Sequence, residues 1–197
     1  MKLCNIALYM REMYKKAKHK IPFLERESMG KPKRIFVDMD GTLAEFEYVS
    51  DETLFSEGYF LNLKPQNEVV AAIKDLMKRG YQVMIVSSFL EKSKYALREK
   101  EMWKDKVLPD IDAIFVPCGI SKADAIYQVT GEPLTKKDYL LDDYTPQLVE
   151  FERKGGTGLK LLNGINDTTG RWKGFKINKN SCLAELNVLF DEAEGAI

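Results

Sequence analysis

Short apolar segments alternate with helical segments along this chain, and this alternation is what most limits its fold. Five segments rich in Val, Ile, Leu and Phe are predicted to be strands: residues 34–38, 81–88, 112–116, 138–142 and 158–162. The segments between them carry helical periodicity. Strands that alternate with helices form a parallel sheet with helices on both faces. The sequence therefore predicts an α/β protein, a three-layer sandwich around a central parallel sheet of five strands.

Helix signals lie where this architecture needs them. Asn67 is expected to cap a helix whose apolar residues share one face, and Gly80 is expected to end it. Further helices are predicted over residues 92–104, after Ser121, from Thr145 with Pro146, and over residues 181–193.

The chain divides into two parts by charge. Residues 1–34 hold ten Lys/Arg and three Asp/Glu, whereas all 197 residues together balance 30 against 30. We therefore predict a basic, helical N-terminal arm over residues 1–33 and one compact domain over residues 34–197, a usual size for a single core. Residues 44–66 mix aromatic residues with acids and break the alternation, so we expect a short cap insertion there.

Composition argues against several classes of protein. A zero net charge does not favour nucleic acid, and the apolar start LCNIALYM is too short to cross a membrane. The three cysteines have neither disulfide nor metal-ligand spacing, which favours a reducing cytoplasm. The single histidine, His19, lies in the basic arm and is expected to be a surface side chain. The arm itself could contact phosphates or an acidic partner, but a solvated charged face is the commoner explanation.

Polar side chains gather where the predicted strands end. In such sheets, ligands bind outside the carboxyl ends of the strands. The residues expected there are Asp38, Asp40, Ser87, Ser88, Lys122, Asp142 and Asp143. Converging carboxylates repel one another unless a cation lies among them, and oxygen ligands without His or Cys favour Mg²⁺.

This set of residues can perform phosphate ester hydrolysis. Asp38 would attack phosphorus, and Lys122 with Ser87 would hold the phosphoryl oxygens beside the metal. Asp40 would protonate the leaving alkoxide and then activate water. Gly41 would let the chain turn sharply after the two acids.

The motif DMDGT at residues 38–42 resembles the first motif of the haloacid dehalogenase (HAD) superfamily. Ser87, Lys122 and the pair Asp142 and Asp143 resemble its second, third and fourth motifs, in the family's order. The resemblance implies a HAD-like Rossmannoid fold, Asp38 as nucleophile and metal ligand, and Asp40 as acid/base that also offers its backbone carbonyl to the metal. It further implies Asp142 as a metal ligand, with Asp143 supporting the site.

Within that superfamily, DMDGTLAEF at 38–46 and EKEMW at 99–103 look similar to the 5'(3')-deoxyribonucleotidases. This likeness implies that Phe46 stacks on a nucleobase and that Lys100 lies at the phosphate, with a nucleoside monophosphate as substrate. Phe46 could instead only pack the insertion, and Lys100 could lie on an exposed helix face. Trp103 is expected in the core. Because the insertion is shorter than the nucleotidase cap, a homo-oligomer or the basic arm could complete the site.

Three alternatives stay open from the sequence. The substrate could be another small phosphorylated metabolite, or the chain could bind a phosphorylated ligand without turning it over. The basic arm could also be the main functional part, although no nucleic-acid motif supports this. The Gly-rich segment 155–174 fits neither a P-loop nor a dinucleotide motif, so it is predicted to be a strand with surface loops, and Trp172 has no assigned role.

Overall fold

Residues 34–167 and 171–195 are described in the computed structural model of this protein, residues 191–195 through their backbone alone. In these ranges the chain forms six strands: β1 (Arg34–Val37), β2 (Gln82–Phe89), β3 (Asp112–Pro117), β4 (Tyr139–Asp142), β5 (Thr157–Leu162) and β6 (Phe175–Asn178). They pair in the order β3-β2-β1-β4-β5-β6, and every pair is parallel. The predicted α/β fold with a parallel sheet is confirmed.

β6 adds a sixth strand to the five that the sequence predicts. It lies at the edge of the sheet, where only Ile177 of its four residues is buried and Phe175 is 52% exposed. A strand exposed in this way lacks the apolar run that marks a strand buried on both faces. The segment therefore gave no strand signal.

Helices cover both faces of the sheet. They are α1 (Asp51–Leu54), α2 (Asn67–Lys78), α3 (Ala96–Val107), α4 (Lys122–Thr130), α5 (Thr145–Arg153) and α6 (Cys182–Gly195). The first of these is a single turn within the insertion, and the others follow the strands.

The central strand β1 divides its side chains between two cores. Ile35 and Val37 pack on one face with α2, α6 and Trp103 of α3. Phe36 points to the other face and packs with α4 and with Phe151 of α5, whose ring lies edge-on to it at 6.0 Å. Successive side chains of a strand point to opposite faces, so one apolar run supplies both cores. This arrangement is the predicted three-layer sandwich.

Some of the observed helix ends agree with those predicted from the sequence, and others differ. Ser121 caps α4 as predicted, since its hydroxyl accepts the backbone N–H of Asp124 at 3.3 Å. Asn67 is the first residue of α2 rather than its cap. α3 begins at Ala96 rather than at residue 92, because the hydroxyl of Ser93 accepts the N–H of Ala96 at 3.1 Å and forms a turn before the helix.

The two ends of the insertion lie next to each other at the edge of the site. Ala44 forms an isolated antiparallel bridge with Pro65, so the two ends of the segment lie side by side. Between them, Phe60 is buried and Tyr59 lies edge-on to it at 4.9 Å. The predicted helical arm over residues 1–33 lies outside the described residues, so the predicted domain division stays a prediction.

Two further features bear on where the protein works. No helix of the described ranges has both the length and the apolar character that crossing a membrane requires. Cys118 and Cys182 are free, and Cys4 lies outside the described residues. The cytoplasmic location stays a prediction.

A buried ion pair lies at the amino ends of β1 and β4, away from the acids at their carboxyl ends. Arg34 donates from Nε to Asp138 at 2.5 Å and from Nη2 at 2.8 Å, and Thr135 donates its backbone N–H to the same carboxylate at 2.7 Å. Burial alone would raise the pKa of Asp138, but these hydrogen bonds outweigh it and lower the pKa. The charged form of Asp138 therefore stabilises the folded state.

We predict that Asp138→Asn lowers the free energy of unfolding by about 2 kcal/mol at neutral pH, because a buried charged acceptor is lost while its donors remain. The difference between wild type and variant should shrink as the pH falls below about 3.9, the ordinary carboxyl pKa, since protonation removes the same charge from the wild type. Urea unfolding at pH 7 and pH 3 measures both effects. Asp124→Asn is the control, because Asp124 pairs with Lys154 on the surface and should change stability little. Equal losses in the two variants would contradict the prediction.

Candidate active site

The site lies where the order of the strands reverses. β1 and β4 are neighbours, but the chain continues from β1 to β2 on one side and from β4 to β5 on the other, which opens a crevice at the carboxyl ends of β1 and β4. Asp38 directly follows β1, and its backbone N–H donates to Leu141 of β4 at 2.9 Å. Ser87 and Ser88 lie near the end of β2. These residues lie together at the carboxyl ends of neighbouring strands, as the sequence predicts.

Three carboxylates meet at this edge. Asp38, Asp142 and Asp143 each place an oxygen within 4.8 Å of the other two, and all three side chains are buried. Asp142 ends β4, and Asp143 is the next residue, so the short strand brings both to Asp38. Among the described residues, this is the group of acids that could hold a metal ion.

Lys122 bridges two of these acids. Its ammonium group lies 2.7 Å from Asp38 Oδ1 and 2.6 Å from Asp142 Oδ2, and the side chain is 3% exposed. Burial alone would lower the pKa of Lys122, but the two carboxylates outweigh it and raise the pKa. Lys122 is therefore not an ordinary surface lysine. The first turn of α4 places Lys122 here because Ser121 fixes the start of that helix.

Lys100 enters the site from the opposite side. It is fully buried, contacts Asp40 Oδ2, and donates to the hydroxyl of Ser87 at 3.2 Å and to the carbonyl of Ser88 at 2.5 Å. Its ammonium group also lies 5.0 Å from the centre of the Phe60 ring. The alternative of an exposed helix face is wrong for Lys100.

A helical pattern explains how Lys100 is buried. The buried residues of α3 are Ala96, Glu99, Lys100 and Trp103. Their spacing of three and four residues places them on one face. An acid and a base beside an inward-facing tryptophan were a signal for buried charge in the sequence. Trp103 itself lies in the core, as predicted, and donates to the carbonyl of Leu63 at 2.7 Å.

Glu99 is a functional neighbour that sequence reasoning missed. Its carboxylate accepts three backbone N–H groups of the insertion: Gly58 at 2.5 Å, Phe60 at 3.0 Å and Leu61 at 3.4 Å. The insertion is therefore fixed to the helix that carries Lys100.

The loop after β5 also reaches the site. Asn163 and Asn166 both donate a side-chain N–H to Asp143 Oδ2, at 2.8 Å and 2.6 Å. Lys160 is buried beneath the loop and donates to the backbone carbonyls of Asp143 and Asn166. The prediction of a surface loop is wrong for Asn163, which is buried, whereas Lys160 lies in the predicted strand. Asn and Gly directly after a buried strand marked a turn at the same sheet edge as Asp38, and this was the signal available.

Other features of that segment are structural. Trp172 is buried and donates from its indole to the carbonyl of Phe175 at 2.8 Å. Its ring packs where Gly158 and Gly174 have no side chain, since a methyl group at either position would lie 2.6 Å or 2.7 Å from the ring. Glycine here makes room for the tryptophan and does not form a phosphate loop.

A cavity of about 410 Å³ opens above these polar groups. Its floor includes Asp38, Asp40, Ser87, Ser88, Lys100, Lys122 and Asp143, and one wall is formed by Phe46, Leu54, Phe60 and Leu90. Phe46 is half-buried and lies edge-on to Tyr59 at 6.5 Å between ring centres. The predicted site residues other than Asp142 therefore line one cavity, and Asp142 lies directly beneath it.

Negative charge is in excess in the site. Burial raises the pKa of Asp40, Asp142 and Asp143, and in each case the charge of Asp38 adds to the effect. The site holds four carboxylates and two ammonium groups: Lys100 contacts Asp40, and Lys122 contacts Asp38 and Asp142. One oxygen of Asp40, Oδ1, is buried without a hydrogen-bond partner. A donor set made only of oxygens with two uncompensated charges fits a hard divalent cation.

Comparisons with known proteins agree with the fold. No family model matches the chain, and no curated protein sequence does. The crystal structure of D,D-heptose 1,7-bisphosphate phosphatase from B. bronchiseptica, complexed with magnesium and phosphate, matches with a TM-score of 0.61 and 17% identity, over 81% of this chain and 99% of that one. The protein therefore has the fold of HAD-superfamily phosphatases.

Two further solved structures support the same conclusion. A 3-deoxy-D-manno-octulosonate 8-phosphate phosphatase from Moraxella catarrhalis, solved with magnesium, phosphate and its KDO ligand, matches with a TM-score of 0.53 and 19% identity, over 93% of this chain and 92% of that one. A HAD-superfamily hydrolase from Ehrlichia chaffeensis matches with a TM-score of 0.53 and 11% identity, over 84% and 98% of the two chains. At these identities the likeness shows the fold.

The turn after Asp40 depends on Gly41. This residue has a φ of +76°, and a methyl group on it would lie 2.4 Å from Asp143 Oδ2. We predict that Gly41→Ala destabilises the protein by more than the roughly 1–3 kcal/mol that an unfavourable φ alone costs, because the methyl group also displaces Asp143. Urea unfolding measures the loss. The control is Gly80→Ala, which has a φ of +85° but meets nothing within 4 Å. Equal losses would mean that the contact with Asp143 is unimportant.

Proposed function

We propose that this protein is a phosphomonoesterase that depends on magnesium and works through an aspartyl-phosphate intermediate. The observation that carries the proposal is the position of Asp38, whose carboxylate lies at the floor of the cavity beside Lys122 and two further acids. The HAD-like fold and the motif order add support. The neighbours whose structures contain magnesium and phosphate are phosphatases.

Magnesium fits the acidic cluster of this chain. Asp38, Asp142 and Asp143 would hold it, together with the backbone carbonyl of Asp40 by resemblance to the family. When bound, the ion would neutralise charge on the phosphoryl oxygens and offset the repulsion between the carboxylates.

The side chains of the protein then divide the reaction between them. A carboxylate oxygen of Asp38 forms a bond to phosphorus while the bond from phosphorus to the leaving oxygen breaks. Asp40 gives its proton to that oxygen, and its buried, unpartnered Oδ1 is available to carry the proton. In the second half, Asp40 takes a proton from water, the water oxygen bonds to phosphorus, and the bond to Asp38 breaks. Phosphate leaves and both carboxyl groups return to their first state.

Two lysines hold the phosphoryl group. Lys122 approaches from α4 and Lys100 from α3, so the two ammonium groups flank the position beside Asp38. Ser87 and Ser88 add polar groups at the end of β2. Lys100 contacts Asp40 directly, and an incoming phosphoryl oxygen would compete for its ammonium group.

The substrate is proposed to be a nucleoside monophosphate. Phe46 with Leu54, Phe60 and Leu90 gives the cavity an apolar wall above the phosphate position, which suits the flat face of a nucleobase. Stacking of a base on an aromatic ring contributes roughly 1–3 kcal/mol. Another phosphorylated metabolite is the alternative, since two of the structural neighbours are a heptose bisphosphate phosphatase and a 3-deoxy-D-manno-octulosonate 8-phosphate phosphatase.

We predict that the purified protein releases phosphate from p-nitrophenyl phosphate only when Mg²⁺ is present, and that Asp38→Asn reduces the rate to background because the nucleophile is lost. A colorimetric assay with and without EDTA measures this. Asp112→Asn serves as the control, because Asp112 is the first residue of β3 and does not line the cavity. Full activity in Asp38→Asn would show that the nucleophile is another residue, and a wild type that binds phosphate without turnover would support a binding protein instead.

We predict that Phe46→Ala raises the KM for a nucleoside monophosphate by about tenfold, which corresponds to the loss of one stacked base, and leaves the KM for glycerol phosphate unchanged. Steady-state kinetics on both substrates give the comparison. Phe55→Ala is the matched control, since Phe55 lies in the same insertion, is 37% exposed and does not line the cavity. Better turnover of sugar phosphates than of nucleoside monophosphates would overturn the choice of substrate but not the reaction.

A further inference from the structure

The carboxylate of Asp143 is held on one side only. Its Oδ2 accepts both side-chain amides of the loop after β5, from Asn163 at 2.8 Å and from Asn166 at 2.6 Å. A carboxylate oxygen has two lone pairs, so these two bonds satisfy Oδ2. The other oxygen, Oδ1, is the one that remains for a cation.

Hydrogen bonds within the loop fix the conformation of the segment that carries the two amides. Asp167 accepts the backbone N–H of Asn163 at 3.0 Å and that of Gly164 at 2.9 Å, and Asn163 Oδ1 accepts the N–H of Ile165 at 2.9 Å. Because Asn163 Oδ1 accepts a backbone N–H, its amide nitrogen must face the site. The orientation of the donor is therefore determined by the loop.

The same loop is tied to the acids through the backbone. The ammonium group of Lys160 bonds the carbonyl of Asn166 at 2.6 Å and also the carbonyl of Asp143. Asn163 donates to the carbonyl of Gly41 at 2.7 Å, in the turn that follows Asp38 and Asp40. The loop thus holds both acidic segments of the site at a fixed separation.

We propose that Asn163 and Asn166 are positioning residues that present Asp143 to magnesium through its Oδ1. This inference rests on the proposed function. Amide donors that hold one oxygen of a metal-binding carboxylate orient the other, and losing such partners costs about 10–100-fold in metal affinity. Neither asparagine needs to touch the metal or the substrate.

The test is the affinity of the full chain for Mg²⁺ alone, measured by isothermal titration calorimetry without substrate. Asn166→Ala should raise the dissociation constant by about 10–100-fold, and Asn163→Ala should do the same. In the assay, the KM for Mg²⁺ should rise by a similar factor while kcat at saturating Mg²⁺ stays near the wild-type value. A purely structural role would instead lower the amount of folded protein and leave the dissociation constant unchanged. Asn187→Ala is the control. Asn187 lies on the helix α6, remote from the site, where its side-chain oxygen accepts a hydrogen bond from Arg79.

The outcomes separate this inference from the proposed function. If the wild type binds Mg²⁺ and the variants bind it equally well, the positioning role is wrong and the proposed enzyme is unaffected. If the wild type itself does not bind Mg²⁺, both are overturned. Should Asn166→Ala fail to give a folded protein by circular dichroism, Asn166→Ser removes the same amide with a residue that turns accept, and the same change in affinity is expected.

Discussion

The buried ammonium group of Lys122 is the contact on which the site depends. It lies between Asp38 after β1 and Asp142 at the end of β4, so it joins the two central strands to the start of α4. Two carboxylates this close, taken out of water, would repel each other without it. Breaking a buried pair by removing one partner costs about 3–5 kcal/mol, so the acids and the lysine must be present together.

That contact neutralises only part of the charge, and the remainder is what would attract a cation in the proposed function. Asp143 gains no ammonium group on its carboxylate and is held instead by neutral amides of the loop after β5. Neutral donors orient a carboxylate without cancelling its charge. The protein therefore keeps a buried excess of negative charge beside its cavity, which is costly for stability and favourable for binding a cation.

The sequence could predict those parts of the site that follow from strand ends. Asp38 and Asp142 lie at the ends of neighbouring parallel strands, so apolar runs were enough to bring them together. Lys100 and Asn166 come from elements whose position depends on packing: the inner face of α3 and a loop beyond β5. Local patterns mark Lys100 as buried and residues 163–164 as a turn, but the partners of Lys100 and Asn166 across the site are distant in sequence, so no local pattern identifies those contacts. The strand β6 could not be predicted from the sequence either, because an exposed edge strand lacks an apolar run.

The short insertion and the acidic site are connected through one helix, which fixes the insertion beside the cavity. Adjacent residues of α3 serve the two parts: Glu99 accepts backbone N–H groups of residues 58–61, and Lys100 reaches Asp40. Tyr48, earlier in the insertion, donates its hydroxyl to Asn166 at 3.2 Å, so the segment also contacts the loop that holds Asp143. An insertion fixed at both sides of the cavity needs little secondary structure of its own. The helix that positions Phe60 through Glu99 therefore also positions Lys100 beside Asp40.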